Sequence, residues 1–365
     1  MGSRSSNTTV FDYHVTEKVD TSITSVVLVL YCIVSVVGVC GNTLTILSIL
    51  LNKKLKSIPN VYIGNLAIAD SIVCAVIAPF SAIVLSSTSQ EISSNVCIFI
   101  GALNAAMLGS TMFNLAAIAV NRYVLVVKGS SLYTKLYTRR RVIISIVILW
   151  LLPVLLVLPG LLGLGRFGYN TKMGTCIFIS YDKMTYIYVQ GILHGVCVAP
   201  SIFITVFSYV SIIIYFRKAQ NRLKMSAKKS SHTPTTGTKT DSTGVEYTPQ
   251  DSCKVEDYEL SSSGPSNNNS ASHIQAAKRN RASRRVVMNL CTVFIAFICC
   301  WMPVVSIYTI DFHSVLPASV YHILYIIAVS NSCLNVFIYA GMNRIFRRTY
   351  SQILTCRFSQ VDSTF

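Results

Sequence analysis

What this chain has least of is charge. Only 12% of its residues are charged, with 14 acidic against 31 basic. Soluble domains carry about 25% charged residues, so this chain has too few to coat a water-facing surface. A bilayer removes the need, because lipid tails do not have to meet polar side chains. The apolar segments also lack an HExxH string, a Ser/His pair or paired acids, which excludes an enzyme working inside the membrane. The 12 cysteines follow neither a metal-ligand spacing nor a secreted disulfide framework. Most sit within apolar runs, where a thiol behaves as a small hydrophobe. No internal repeat is visible, which weighs against a transporter built from paired halves. The opening MGSRSSNTTVF has no apolar core, so a cleaved signal peptide is not expected.

What is present is hydrocarbon: 52% of the residues are hydrophobic and the mean hydropathy is +0.55. A helix needs about 20 apolar residues to cross a bilayer. Seven runs meet that length, at 24–51, 60–86, 97–127, 142–163, 185–216, 286–310 and 317–341. The expected organisation is a tail over 1–23, an all-α bundle of seven transmembrane helices over 24–341, and a C-terminal segment over 342–365. Residues 217–285, rich in Ser, Thr, Lys, Asn and Gly, read as a long internal loop, largely disordered. Its ends, FRKAQNRLK and AAKRNRASRR, are expected to continue spans five and six as basic helices.

The net charge of +17 does not point to nucleic acid, because the basic residues stand between apolar runs, where lipid headgroups would lie. Lys53, Lys54 and Lys56 follow span one, and Lys128, Lys135 and Arg139–Arg141 separate spans three and four. The loops after spans two and six hold no Lys or Arg. That asymmetry predicts an extracellular N-terminus and a cytoplasmic C-terminus.

An acid at mid-bilayer costs about 2.5–3.5 kcal/mol on insertion scales, so it normally faces the bundle interior. Asp70 is the only acid deep within a span. Asn42, Thr111, Asn331, Ser332 and Asn335 are the polar groups expected around it. Together they could hold a sodium ion with water or form a polar network without an ion; either satisfies a buried carboxylate. Arg122, at the end of span three, is the other outlier. Prolines at 79, 159, 200 and 303 fall in or near span ends, which suits a bundle that bends or opens.

In order along the chain stand Gly41–Asn42, LAIAD ending at Asp70, Asn121-Arg122-Tyr123, Trp150, Pro200, CWMP at 300–303 and NVFIY at 335–339. With one such piece per span, the chain resembles the rhodopsin-like, class A G-protein-coupled receptors over essentially all its transmembrane length. The resemblance implies a short amphipathic eighth helix starting near Phe346, Arg347 and Arg348. It also implies a Cys97–Cys176 disulfide, in an oxidising location where one can persist. Asn121, Arg122 and Tyr123 would engage a heterotrimeric G protein, while Tyr209, Trp301, Pro303, Asn335 and Tyr339 would take part in activation. Arrestin and receptor kinases are implied as further partners, at the plasma membrane. Cys356 is a candidate for palmitoylation, and Asn7 lies in a glycosylation sequon. The C-terminal Ser-Thr-Phe fits a PDZ-domain ligand. No cofactor or metal is expected beyond the sodium alternative at Asp70.

FNLAAIAVNRY, YTKLY at 133–137 and NSCLNVFIY at 331–339 are similar to the melatonin-receptor group, as are Asn121 and Val336 in place of the family's usual Asp and Pro. The group's ligand residues do not carry over. Gly160 stands where the group has Asn and Ser180 where it has Gln, and His194 lies farther from Pro200 than the group's histidine does. Tyr209 falls one residue later than usual after Pro200, so span five is expected to be bulged or shifted. Asn104 cannot supply the charge with which amine receptors pair an ammonium, and Val329 replaces the lysine of light receptors. These residues point to a small, weakly charged or neutral extracellular ligand among Asn104, Met107, Leu108, Trp301 and Tyr308. A peptide or lipid ligand is the alternative; a transporter or channel, needing a chain of intramembrane charges, is remoter.

Overall fold

The computed structural model describes residues 21–86, 93–179, 183–230, 268–311 and 315–357. Asn7, Ser180 and the C-terminal Ser-Thr-Phe lie outside the described residues, as does most of the long loop.

Among the described residues, seven helices are long and apolar enough to cross a membrane: Thr21–Leu51, Ile58–Ser86, Ser94–Lys128, Arg139–Leu164, Lys183–Arg222, Val287–Ile307 and Ala318–Met342. Span three is the most buried and span four the least, so span three is the central post and span four an outer stave. The helix of span five runs on to Ser230, and that of span six begins at Asn268. Both are driven past the apolar window by sequence rich in Lys, Arg, Ala and Gln, strong helix formers.

Two features come from proline. In span two the wider π-helical turn Val73–Ile77 precedes Pro79, and in span five a longer one, Tyr188–Val198, precedes Pro200. A proline offers no N–H to the turn before it, and a wider turn absorbs the mismatch. Span five is therefore bulged, but ahead of Pro200. From Ala199 onward it is regular α-helix, so the late position of Tyr209 is not absorbed by a bulge between the two.

Between spans four and five lies an antiparallel hairpin, β1 (Phe167–Asn170) and β2 (Thr175–Phe178), with Tyr169 opposite Cys176. Cys176 forms a disulfide with Cys97 in the first turn of span three. A methyl group on Gly101 would lie 3.2 Å from the backbone of Ile177, so the hairpin rests on span three with no room between. At the opposite end of the bundle, Asn343 caps a last helix, Arg344–Leu354. Phe346 is fully buried there, stacked on Tyr339 at 5.4 Å between centroids and edge-on to Tyr350 at 5.8 Å. Tyr350 shares a 2.8 Å hydrogen bond with Thr45, and Asn52 donates to Thr349 at 2.7 Å, which fixes this helix to span one. It starts earlier than Phe346 and leaves Cys356 exposed just past its end.

Span one is held close by its glycines. A methyl group on Gly38 would meet the Cys74 sulfur at 2.2 Å, and one on Gly41 would meet Cγ1 of Val336 at 2.6 Å. Val336 is buried and, being β-branched in a helix, has little rotamer freedom. Gly41→Ala is therefore expected to lower the thermal stability of the purified protein. Overpacking of about 1–3 kcal/mol outweighs the gain of about 1 kcal/mol in helix propensity. In a Val336→Ala background the same substitution becomes neutral or stabilising. Additive effects in the four-way comparison would count against this packing account.

Candidate functional site

Most of the buried apolar side chains form two stacked clusters, one toward the hairpin and one toward Arg122, with Trp301 packed against both, and a small third cluster surrounds the Cys97–Cys176 disulfide. On the hairpin side of Trp301 opens a cavity with about 730 Å³ of empty volume, its open mouth included. Asn104 and Leu108 line it from span three, His194 and Cys197 from span five, Trp301 from span six and Tyr325 from span seven. Met173, Ile177 and Phe178 of the hairpin roof it. No Asp, Glu, Lys or Arg is among the described residues of its wall. Its polar atoms are few and already directed: the Asn104 amide donates to the Tyr325 hydroxyl. His194 Nδ1 shares a 2.8 Å bond with Gln190, whose amide donates at 3.1 Å to Thr309 on span six.

Of the sequence-derived pocket residues, Asn104, Leu108 and Trp301 meet at this cavity. Met107 does not; it is turned into the hairpin-side core cluster, because one helical step of about 100° separates it from Leu108. The Tyr308 side chain lies outside the described residues. Sequence reasoning missed Tyr325 and the hairpin roof, and the Gln190–Thr309 pair that holds His194 from behind. His194 had been noted only as displaced, yet the π-helical turn brings it to the wall.

Deeper in the bundle, Asp70 is fully buried and accepts a 2.7 Å hydrogen bond from Asn335. Asn42 donates to the carbonyls of Ser332 at 2.9 Å and Gly38 at 3.0 Å, tying span one to span seven. Ser332 also lies against the Asp70 carboxyl. Among the described residues, no hydrogen bond joins Thr111 or Asn331 to Asp70, although both are buried. Asp70 Oδ1 and Asn331 Oδ1 are buried acceptors without donors. Either a cation or a water could satisfy such oxygens.

At the far end of span three, Asn121 donates to the Tyr133 hydroxyl at 3.3 Å, which holds the short helix Ser130–Leu136 against the bundle. Its Oδ1 and Nε of Arg122 are buried without partners. Tyr123 packs on Phe207, with rings 5.8 Å apart, and Lys128 Nζ lies 5.8 Å from the Tyr123 ring centroid. Tyr209 packs on Phe294 of span six at 6.3 Å, and the buried Tyr339 hydroxyl has no partner. Pro303 lies inside span six, two residues past Trp301. Unpartnered buried polar atoms thus occur around Asp70, around Arg122 and at His322 near the hairpin, while the pocket's are largely paired.

Residues 41–339 match the family model described as 7 transmembrane receptor (rhodopsin family). The chain is 27% identical over 350 residues to the G-protein coupled receptor moody of Drosophila melanogaster, covering 89% of this chain and 50% of that protein. It is 25% identical to melatonin receptor type 1C of Xenopus laevis, over 91% of this chain and 68% of the receptor. The chain thus spans about half the length of the moody protein. Among solved structures, squid rhodopsin superposes with a TM-score of 0.74 at 18% identity, covering 94% of this chain and 91% of that one, a likeness of fold.

Gly160 tests how far the melatonin likeness reaches. A methyl group there would lie 2.8 Å from both the Phe167 and Tyr188 rings, and Tyr188 is fixed by a 2.8 Å bond to the Leu156 carbonyl. The site has no room for the asparagine of the melatonin group. Gly160→Asn is expected to lower surface expression and to create no melatonin response. A melatonin-dependent signal at normal surface level would contradict this.

Proposed function

Because the chain belongs to the rhodopsin family of seven-transmembrane receptors, and so is a multi-pass membrane receptor rather than an enzyme, we propose that it binds a small, uncharged, largely apolar ligand beneath the hairpin and activates a heterotrimeric G protein at Arg122. The observation that carries the ligand class is the cavity wall, which is apolar, free of formal charge among the described residues, and offers few hydrogen-bonding groups. Burying an ion there would cost several kcal/mol unpaired, whereas an uncharged molecule needs only one or two matched polar atoms. Val329 is buried with no amine to offer, so retinal attachment is not available. Melatonin is disfavoured by the crowding at Gly160.

The positive loops support a plasma-membrane orientation with the hairpin outside and Arg122 inside. In that frame the signal is a population shift: ligand favours the arrangement in which span six swings away from span three, pivoting near Trp301 and Pro303. Asn121 bears no charge, so it cannot hold Arg122 in an ion pair, and the inactive arrangement lacks one of its usual restraints. Sodium at Asp70 is a second proposal, supported by the two donor-less oxygens; it would stabilise the resting bundle.

The test is second-messenger output, cyclic AMP and calcium, in cells expressing the chain at matched surface levels. Output above vector is expected without ligand and is lost in Arg122→Ala. Asn121→Asp, which restores an acid beside Arg122, is expected to lower basal output roughly two- to fivefold, as an ion pair worth up to about 1 kcal/mol would do. Vector-level output from the unmodified chain would remove the basal-activity idea, and an Asn121→Asp variant as active as its parent would remove its explanation. Replacing sodium with a large organic cation should raise basal output in the parent but not in Asp70→Asn. Equal responses would remove the ion.

A further inference from the structure

His322 stands in the second turn of span seven, is 3% exposed, and has no hydrogen-bond partner at either ring nitrogen. Nothing in the receptor reading uses it. What covers it is the tip of the hairpin. Gly174 adopts φ +60°, and a methyl group there would lie 2.6 Å from His322 Nε2 and 2.8 Å from Cδ1 of Leu85. The turn is internally satisfied: Gly174 N–H donates to the Asn170 carbonyl, and the Asn170 side chain accepts from the amides of Lys172 and Met173. Gly174 therefore has no amide to offer the imidazole. Met173, the residue before it, is part of the roof over the ligand cavity.

We propose that His322 is a proton-binding site beneath the hairpin tip, and that its protonation lifts the roof of the ligand cavity. The proposal rests on that cavity being the ligand site. A cationic imidazole must be hydrated or paired, and with the tip down it is neither. Among the described residues, the remaining ionisable groups on the elements around it do not supply a counter-charge. The outer end of span two, Ala78–Ser86, carries none, and the hairpin brings only cations, Lys172 and Arg166. Lys172 donates to the Leu316 carbonyl at 3.0 Å, which tethers the tip to the segment before span seven. Among the described residues the acid at this end is Asp311, past span six, and it is already engaged. Slight burial works against its charge, but the Tyr321 hydroxyl, the Leu316 and Val315 amides and the field of Lys172 hold its carboxyl below the usual range. Tyr31, Tyr169, Tyr321 and Tyr325 bring phenol hydroxyls and no formal charge.

The sign follows. The closed roof requires the neutral ring, while the lifted roof lets it take a proton from water with an ordinary pKa of about 6.5. The closed arrangement is fully favoured above that value and loses ground as pH falls below it. A ligand that needs the roof closed binds more weakly in acid, and by linkage its binding expels the proton.

The experiment uses the detergent-purified receptor carrying Met173→Cys, labelled with a water-soluble maleimide and quantified on the hairpin peptide. Normalised to the same chain with His322→Phe, labelling should be roughly threefold or more higher at about pH 5.5 than at about pH 7.5, because the histidine charges across that interval. The normalisation removes the thiol's own pH dependence. Where either substitution harms folding, hydrogen exchange of the hairpin amides in the unmodified chain reads the same event. After correction for intrinsic rates it should accelerate in acid for residues 167–178 and not in the core of span three. A labelling ratio that does not change with pH, or hairpin exchange that follows the rest of the protein, overturns the proposal. Neither readout involves a ligand or a G protein, so failure of the receptor reading would show separately, as silence in the signalling assay.

Discussion

Inside a slab of hydrocarbon a polar side chain has no water to return to, so each one must find its partner on its own helix or on a neighbour. That constraint knits this bundle. Asn65 donates to Asn114 at 2.7 Å and accepts from Trp150 at 2.8 Å, joining spans two, three and four. Asp70 and Asn335 join spans two and seven, Asn42 joins span one to span seven, and Asn104 joins span three to Tyr325. Such bonds are worth about 0.6–2 kcal/mol each within a membrane. Their larger effect is on register, because a helix that slides or rotates strands a polar atom in an apolar environment. Glycines complete the arrangement by letting span one approach spans two and seven more closely than any side chain would permit.

A bundle built this way is stiff where its polar atoms are paired and pliable where they are not. The pairing is dense around Asn65 and between the last helix and span one. It is incomplete at Asp70, at Asn121 and Arg122, and at Tyr339, whose hydroxyl is buried without a partner. These are the groups that would gain most from a rearrangement bringing new partners, and they lie along the path from the core to the end that would face the G protein. Trp301, touching both apolar clusters, is placed so that a load on the cavity reaches that path.

The architecture was largely legible in the sequence, because crossing a bilayer demands long apolar runs and leaves lysine and arginine at their ends. Asp70 with Asn335 was legible for the same reason: an acid in a span needs a partner, and few polar groups were available. The cavity was only partly readable. Met107 and Leu108 are adjacent in sequence, and which of them faces inward depends on the rotation of span three. His194 reaches the cavity from an eleven-residue π-helical stretch; a helical wheel drawn at the normal pitch misplaces it. Tyr325 and the hairpin residues carry no local signal, since their role comes from contacts distant in sequence.

The hairpin is where these threads join. The disulfide from Cys176 to Cys97 and the contact of Ile177 with Gly101 pin one strand to span three, so β2 cannot leave the bundle. The tip is held differently, by Lys172 on the Leu316 carbonyl and by the fit of Gly174 over His322. Both strands pack on span three and β1 is itself largely buried, so the easy motion is a tilt of the turn between them, which raises Met173 and leaves Ile177 in place. The exposed lysine contact is weak in water, so the steric and electrostatic state of the site beneath Gly174 decides how readily that tilt occurs. Access to the cavity is therefore governed less by the cavity wall than by the turn above it, where a single backbone position admits no side chain.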